Sequence, residues 1–331
     1  MHKTIRVPAH ATGLRVDRFI SNETHMAPSL LFKLLRKRSV AHIDADGKRH
    51  RLHGSTRVHT GMEIQIPTNI VLPQSTPIST RGSVTSTPQF VQRQLPVLFD
   101  NQALSVFQKP SGLPCQGGSK VTYSVDSLLN NNSTEQFRLV HRLDRGTTGA
   151  LVVAKTRLAA ARLAAAFRDH EISKTYIAVL RGVPDMPHGT INCPLLNTGP
   201  TVISLINNNL HEEKYTAKAK SAITKYRVLK SGSLDNTRIC VVALNILTGR
   251  KHQIRAHCAH VLKCPVLNDS KYGSELTTGS IHLHLSEITI PDVQSDGSVG
   301  GRSAVVTVKS PFPEFWQPVF DALDIKFKSQ I

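Results

Sequence analysis

Acidic residues are scarce in this chain. Its 331 residues carry 23 Asp+Glu against 41 Lys+Arg, a formal net charge of +18. Charged residues make up 19 % of the chain, so the excess comes from missing acids rather than from lysine-rich tracts. That balance argues against a disordered basic tail and for a folded protein with a basic face, which makes a polyanion the first partner to consider. Long hydrophobic runs are missing as well. No segment approaches the roughly 18–20 apolar residues that cross a bilayer, so no membrane partner is expected. The five cysteines (Cys115, Cys193, Cys240, Cys258 and Cys264) are odd in number, dispersed and without a CxxC pair. A disulfide framework is therefore not expected, and the compartment reads as reducing. No internal repeat is visible. The opening MHKTIRVPAHATGLR has neither acids nor the apolar core of a secretory signal. Its basic character leans toward organelle import, with the mitochondrion as the expected compartment and cytoplasm or nucleus as alternatives.

The length suits one large domain with a small companion. Residues 14–67 form one compositional unit. Arg15, Val16, Asp17, Arg18 and Phe19 open a short amphipathic stretch, and Leu30, Leu31, Leu34 and Leu35 recur at helical spacing. Lys33, Arg36, Lys37 and Arg38 occupy the other face of that second helix, as RNA-contacting candidates or as an ordinary solvated surface. Val40, His42 and Ile43 read as a strand, as do the alternating residues Met62–Ile66. Residues 68–94 are rich in Pro, Ser and Thr and read as a linker. Residues 95–331 carry many strand patterns and few helices, an α+β pattern with a large mixed or antiparallel sheet. Within them, Ala150–Ala154, Tyr176–Leu180 and Ile239–Ile246 are expected strands. A helix capped by Thr156 is expected through His170, with Leu158, Ala161 and Ala165 on one face; a second is expected over Gln253–Leu262. The Asn-rich pieces Asn130–Asn132 and Asn207–Asn209 read as surface loops.

The most unusual local sequence is His141-Arg142-Leu143-Asp144-Arg145-Gly146-Thr147-Thr148-Gly149. It places one carboxylate between two arginines, directly before a buried strand. Arginines so close in sequence are expected to hold the carboxylate in its charged form. Gly146 and Gly149 permit a tight turn or a close approach. A routine surface ion pair is the competing reading.

This motif, followed by an apolar strand and Ala-Lys, resembles the catalytic segment of the RluA-type pseudouridine synthases of the RsuA/RluA superfamily. That family commonly has Ser where Thr148 stands, which keeps the hydroxyl. Four further segments agree in order: Lys109-Pro110-Ser111-Gly112-Leu113, Lys174-Thr175-Tyr176-Ile177-Ala178, and Thr248-Gly249-Arg250-Lys251-His252-Gln253-Ile254-Arg255-Ala256-His257 with Asp269 and Tyr272-Gly273 beyond it. The last is the His284 region with Pro311–Phe315, which resembles the family's closing strands. Residues 14–67 resemble the small α/β S4-type RNA-binding domain often fused in front. Leu285 stands where Ala is common, and an Asn-rich insertion surrounds Asn207.

The resemblance implies an RNA pseudouridine synthase that isomerises uridine in structured RNA. Ribosomal RNA is the first candidate, and tRNA or mRNA is possible. Atoms are neither gained nor lost, so no cofactor is expected. Asp144 is then the essential carboxylate, as nucleophile or as base. Tyr176 stacks on the extracted uracil and assists proton removal at C5, Arg255 pairs with Asp144, and Ile254 packs the base pocket. Arg142 takes part in flipping the nucleotide, with Arg145 and Thr148 completing the substrate contacts. The resemblance also allows a silent RNA-binding factor that works in ribosome assembly on pre-ribosomal particles. On its own the protein is expected to be a monomer. His252, His257, Cys258, His260 and Cys264 crowd together, but their spacing fits no common structural zinc pattern, and no metal is expected.

Overall fold

The computed structural model describes residues 2–326, apart from 25, 27, 68–94, 118–120, 122, 131–135, 200, 206–216, 274–278 and 301–303. The expected linker and the Asn207–Asn209 loop lie outside the described residues. The chain divides into two compact units, one built on residues 2–67 and the other on residues from 95 onward.

The N-terminal unit pairs two helices with a small sheet. Helix α1 spans Val16–Thr24 and α2 spans Pro28–Arg36. The strands are β1 (His2–Arg6), β2 (Ala41–Ile43), β3 (Arg49–Arg51) and β4 (Glu63–Pro67), antiparallel in the order β1-β4-β2-β3. The opening residues, import-like in composition, therefore form an edge strand, with Ile5 opposite Ile64. Acid-poor composition masks their alternation. Val16, Phe19 and Ile20 from α1, Leu31 and Leu35 from α2, and Ile64 and Ile66 from β4 fill the core. The helical spacing of the leucines thus becomes the buried face of α2. Lys37 and Arg38, expected on that helix, lie in the turn beyond it, where Arg38 is left-handed at φ 56°.

The larger unit is organised by one twisted mixed sheet. Its strands are β5 (Val97–Asp100), β6 (Leu104–Lys109), β7 (Arg138–Leu139), β8 (Thr148–Ala154), β9 (Ser173–Arg181) and β10 (His188–Asn192). After the separate hairpin β11 (Leu195–Asn197)–β12 (Val202–Ser204) come β13 (Ile223–Leu234), β14 (Thr237–Ile246), β15 (Leu283–Pro291) and β16 (Val305–Lys309). The order β10-β13-β14-β9-β15-β8-β6-β5 puts β8, β9 and β15 at the centre, with β16 on β15 and β7 on β8. Neighbours are antiparallel except β15 and β8, which run parallel. Every residue of β8 is buried, as an uninterrupted apolar strand with covered faces requires.

Alternation assigns the two faces. Tyr176, Ala178 and Leu180 of β9 join the main core, while Ile177 and Val179 turn to a second cluster with Trp316, Val319 and Phe320. The latter three come from a short 3-10 turn, Glu314–Trp316, and helix Gln317–Ala322. Of Pro311–Phe315, expected as a closing strand, the first three residues are a loop and Glu314 and Phe315 already belong to that turn; the prolines deny the amides a ladder would need.

Three further helices precede that last one: α3 (Val125–Asn130), α4 (Arg157–Arg168) and α5 (Gln253–His260). Asn130 therefore closes α3 instead of sitting in a loop, while Asn131 and Asn132 of the expected loop lie outside the described residues. Thr156 caps α4 by accepting from the Ala159 amide at 3.1 Å. The buried face of α4 is Ala159, Leu163 and Ala166; Leu158, grouped on one face with Ala161 and Ala165, is 58 % exposed. An alanine-rich helix offers several small faces of similar apolarity, and its packing selects a different one from the face expected.

Candidate active site

The loop before β8 is anchored from below by the Lys109–Leu113 segment. Lys109 is buried, and its Nζ donates to the carbonyls of Leu113 (2.7 Å), Pro110 (2.8 Å) and Arg145 (3.1 Å). Burial pulls this amine down to about 8, against the opposing pull of Cys115 and Asp144. The Gly112 amide donates to the Arg145 carbonyl, and Arg145 Nε donates back to the Gly112 carbonyl, both at 2.9 Å. Cys115 Sγ bridges the Leu143 backbone at 3.3 Å. In sequence Lys109 is one letter of a motif; its structural task is to tie its own segment to the Arg145 carbonyl just after Asp144, while Cys115 holds Leu143 just before it.

Gly149, the second residue of β8, has φ 117°, and a Cβ there would collide with the Leu285 carbonyl. This glycine lets β15 approach β8, where Leu285 lies opposite it. Helix α5 supplies the other wall. Gln253 is locked by Thr248 Oγ1 (2.7 Å) and the Arg250 amide (3.0 Å) on its Oε1, and it donates to the Ile223 carbonyl and Thr224 Oγ1 (both 3.0 Å). His252 precedes the helix in a left-handed conformation, φ 50°.

Arg255 is the centre of the polar network. Its Nε and Nη2 make a two-pronged contact with the Asp269 carboxylate, each at 2.7 Å, and Nη1 reaches Asp144 Oδ2 at 3.2 Å. Asp269 is 1 % exposed and Arg255 8 %. Burial disfavours the guanidinium charge, but the bonds and charges of Asp269 and Asp144 outweigh it and raise its proton affinity. Asp269 also accepts the Lys271 and Tyr272 amides, at 2.9 and 3.2 Å. Asp269 belongs to a motif but is not among the expected site residues; an isolated Asp carries no signal in sequence until the fold brings it beneath an arginine.

These elements line an open cleft of about 100 Å³. Asp144, Arg142, Tyr176, Ile254, Arg255 and His252 line it, with Leu143, Thr147 and Leu283. Burial, reinforced by the nearby Asp144 charge, pushes the Tyr176 phenol well above its usual range. It enters the cleft as a neutral aromatic, suited to stacking and to donating one hydrogen bond. His252, which sequence reasoning misses as a site residue, is pulled down to about 4, chiefly by burial.

Two sequence expectations need correction. The arginines flanking Asp144 do not hold its carboxylate: Arg142 reaches Gln116 at 3.4 Å and Arg145 reaches Gly112. The loop turns at Asp144, whose carbonyl accepts the Thr147 amide, so adjacent side chains diverge. The counter-charge comes instead from Arg255, 111 residues away. Thr148 is also misplaced as a substrate contact. Strand alternation sends Thr147 into the cleft and Thr148 to the opposite side, where its hydroxyl meets His284 Nδ1 at 2.8 Å. The crowded His and Cys residues are engaged elsewhere: His257 bridges Thr224 and the Cys193 carbonyl, and His260 faces the Ser204 amide. Among the described residues no group of three or more His, Cys, Asp or Glu could share a metal ion.

The cleft opens into a groove of about 960 Å³. Arg142, Arg145, Arg168, Lys174, Arg250 and Lys251 line it, and Asp144 is the sole carboxylate among the described residues that do so.

The sequence profile of RNA pseudouridylate synthases matches residues 103–260, which hold Asp144, Tyr176 and Arg255. A ribosomal large subunit pseudouridine synthase C of Rickettsia conorii is 31 % identical over 310 residues, covering 90 % of this chain and 94 % of its own length. The chain belongs to the RNA pseudouridine synthases. A mitochondrial pseudouridylate synthase of Xenopus tropicalis is 33 % identical to the synthase over 244 residues, 61 % of this chain and 74 % of that protein. The solved human RNA pseudouridylate synthase domain containing 4 shares its fold, with a TM-score of 0.56 at 23 % identity, over 70 % of this chain and 94 % of that one. In the synthase, then, the cleft residues from Arg142 to Arg255 lie within the family's matched region, while Leu283 and the Arg255 partner Asp269 lie beyond it. Among the described residues no helix is long and apolar enough to cross a membrane.

Proposed function

We propose that the synthase isomerises a uridine of ribosomal RNA, and that Asp144 carries the reaction. The observation that supports this most is the placement of Asp144: a carboxylate held by a buried Arg255–Asp269 pair, at the head of a groove lined by six cations. The groove suits an RNA backbone, and the cleft suits one extracted nucleotide. A stacked base hides its glycosidic bond, so the nucleotide must leave the helix before chemistry begins.

The reaction breaks the bond from ribose C1′ to uracil N1 and makes one to C5. The C5 proton leaves and N1 gains one, so the balance closes without a redox partner. Asp144 meets the ribose or its proton. Tyr176 stacks against the freed uracil, and Ile254 packs beside it. Arg142, at the mouth, enters the place the nucleotide vacates, while Arg145 contributes to phosphate contacts along the groove. Such contacts position the strand without reading its sequence.

The N-terminal unit is an S4-like RNA-binding module in this reading. Its two helices over a small sheet, with Lys33, Arg36, Lys37 and Arg38 exposed together, support that assignment. The mitochondrion is the proposed compartment, on the basic balance of the chain and the name of the Xenopus relative. The test is pseudouridine mapping across cellular RNA with wild type, Asp144→Asn and no protein. Loss of a ribosomal site in both mutant and null supports the reading. Sites lost only from tRNA or mRNA overturn the substrate, and a site restored by Asp144→Asn overturns the role of Asp144.

A further inference from the structure

Tyr272 stands over the Arg255 guanidinium, whose carbon is 5.2 Å from the ring centre. Its hydroxyl meets two neighbours. The Val202 amide donates to it at 2.8 Å, which uses an oxygen lone pair. His252 Nδ1 also lies 2.8 Å away. A phenol has one proton to give, and among the described residues Nδ1 is its one acceptor. A neutral imidazole that accepts at Nδ1 carries its own proton on Nε2. That nitrogen lies 3.8 Å from Asp144 Oδ2, on the wall of the cleft. Oδ2 is the oxygen that Arg255 Nη1 already holds at 3.2 Å. Arg255 thus holds Oδ2, and the His252 N–H faces the same oxygen from just beyond hydrogen-bond range, a gap of the kind that closes when substrate binds, whereas Oδ1 has no side-chain partner among the described residues.

We propose that Tyr272 and His252 form a tautomer lock that positions Asp144, fixing Oδ2 between Arg255 and the His252 Nε2–H and presenting Oδ1 to the uridine. This rests on the reading of Asp144 as the reacting carboxylate. The charged and titratable groups facing His252 are Asp144, Arg255, Lys271, Lys251 and Tyr272. Burial comes first among the influences that keep the imidazole neutral, so it acts as a fixed donor rather than as a proton carrier.

The test is single-turnover pseudouridine formation at saturating enzyme, with RNA affinity and thermal unfolding measured alongside. The RNA is one that the wild type is seen to modify, so failure of the ribosomal reading and failure of this one are distinct. Tyr272→Phe keeps the ring over Arg255 and removes the proton; a rate loss of about tenfold with unchanged affinity is expected. His252→Ala is expected to lose about 10- to 100-fold, and His252→Gln to recover part through its amide N–H. The double variant is expected to be no slower than His252→Ala, because the phenol then has nothing to orient. A wild-type rate in His252→Ala, or losses that multiply in the double variant, overturns the lock. Should His252→Ala not fold, the pH profile of Tyr272→Phe decides. With the phenol gone the imidazole can accept a proton facing Asp144, and the acid limb of the rate moves to higher pH; an unmoved limb overturns the proposal.

Discussion

The two units use positive charge in opposite ways. In residues 1–67, twelve Lys+Arg stand against five Asp+Glu, and Lys33, Arg36, Lys37 and Arg38 are all exposed. In the larger unit the decisive cation, Arg255, is buried and fully engaged by two carboxylates. An exposed cation costs little to keep and loses little when removed, since water solvates it in either state. A buried one is bound to its partners, because removal leaves their charges stranded. Positive charge thus sets geometry in the larger unit and, in the proposed reading, would serve affinity in the N-terminal one, and substitutions separate the two uses.

The largest effect is expected at the carboxylate itself. Asp144→Asn keeps the shape and removes the charge, so pseudouridine formation should fall by about a thousandfold or more while RNA affinity stays within about twofold. Single-turnover kinetics with a binding titration measures both. A comparable loss of affinity would mean that Asp144 organises the groove, and the contrast between the units would collapse.

Arg255→Met comes next. It leaves the buried Asp269 and the half-buried Asp144 without their counter-charge, and unfolding of the larger unit should become easier by about 3–5 kcal/mol, chiefly through Asp269. Denaturant titration reads this. Arg255→Met with Asp269→Leu should recover much of the stability but none of the activity, because an apolar pair can fill the site without holding Asp144.

Acid should also distinguish the units. Burial pulls His282, His284 and His252 down to about 4 and His141 to about 3. In the unfolded chain these groups take up protons near 6.5, so between about 6.5 and 4 the unfolded state binds more protons than the folded one. Stability of the larger unit is therefore full above 6.5 and falls as pH drops, with a slope approaching ~1.4 kcal/mol per pH unit for each histidine. His284→Gln should flatten that slope in a pH series of thermal melts. An unchanged slope would place the acid sensitivity elsewhere.

How much of this is legible in the sequence depends on the range of each interaction. Local periodicity points to α2, β8, β9 and β14, because leucine spacing and apolar runs express burial directly. Motifs point to Asp144, Tyr176 and Ile254 as cleft residues and to Arg255 as the partner of Asp144. Contacts between distant segments are harder. Asp269 and His252 acquire meaning when α5 and the loop after it fold against the Asp144 turn. Thr148 shows the converse: a hydroxyl one residue along a strand points to the other side of the sheet, and composition carries no sign of that. Sequence neighbours suggest arginines 142 and 145 as the counter-charges of Asp144, while the fold supplies one from another element.

The smallest change in stability, and the sharpest test of the comparison, is expected for the exposed cations. Lys33, Arg36, Lys37 and Arg38 replaced together by Gln should leave unfolding within about 0.5 kcal/mol of wild type, since none supports the core. Lys37 and Arg38 sit in the turn after α2, so they extend the basic patch beyond the helix rather than along its face. If the patch holds phosphates, RNA affinity should weaken and the log–log salt slope should shrink by about 0.7–0.9 for each phosphate no longer neutralised. The chemical step on bound RNA should not change, because Asp144 and Arg255 are untouched. A slope equal to wild type would mean that this unit holds no phosphate through these residues, and the basic groove beside Asp144 would then account for the RNA affinity without it.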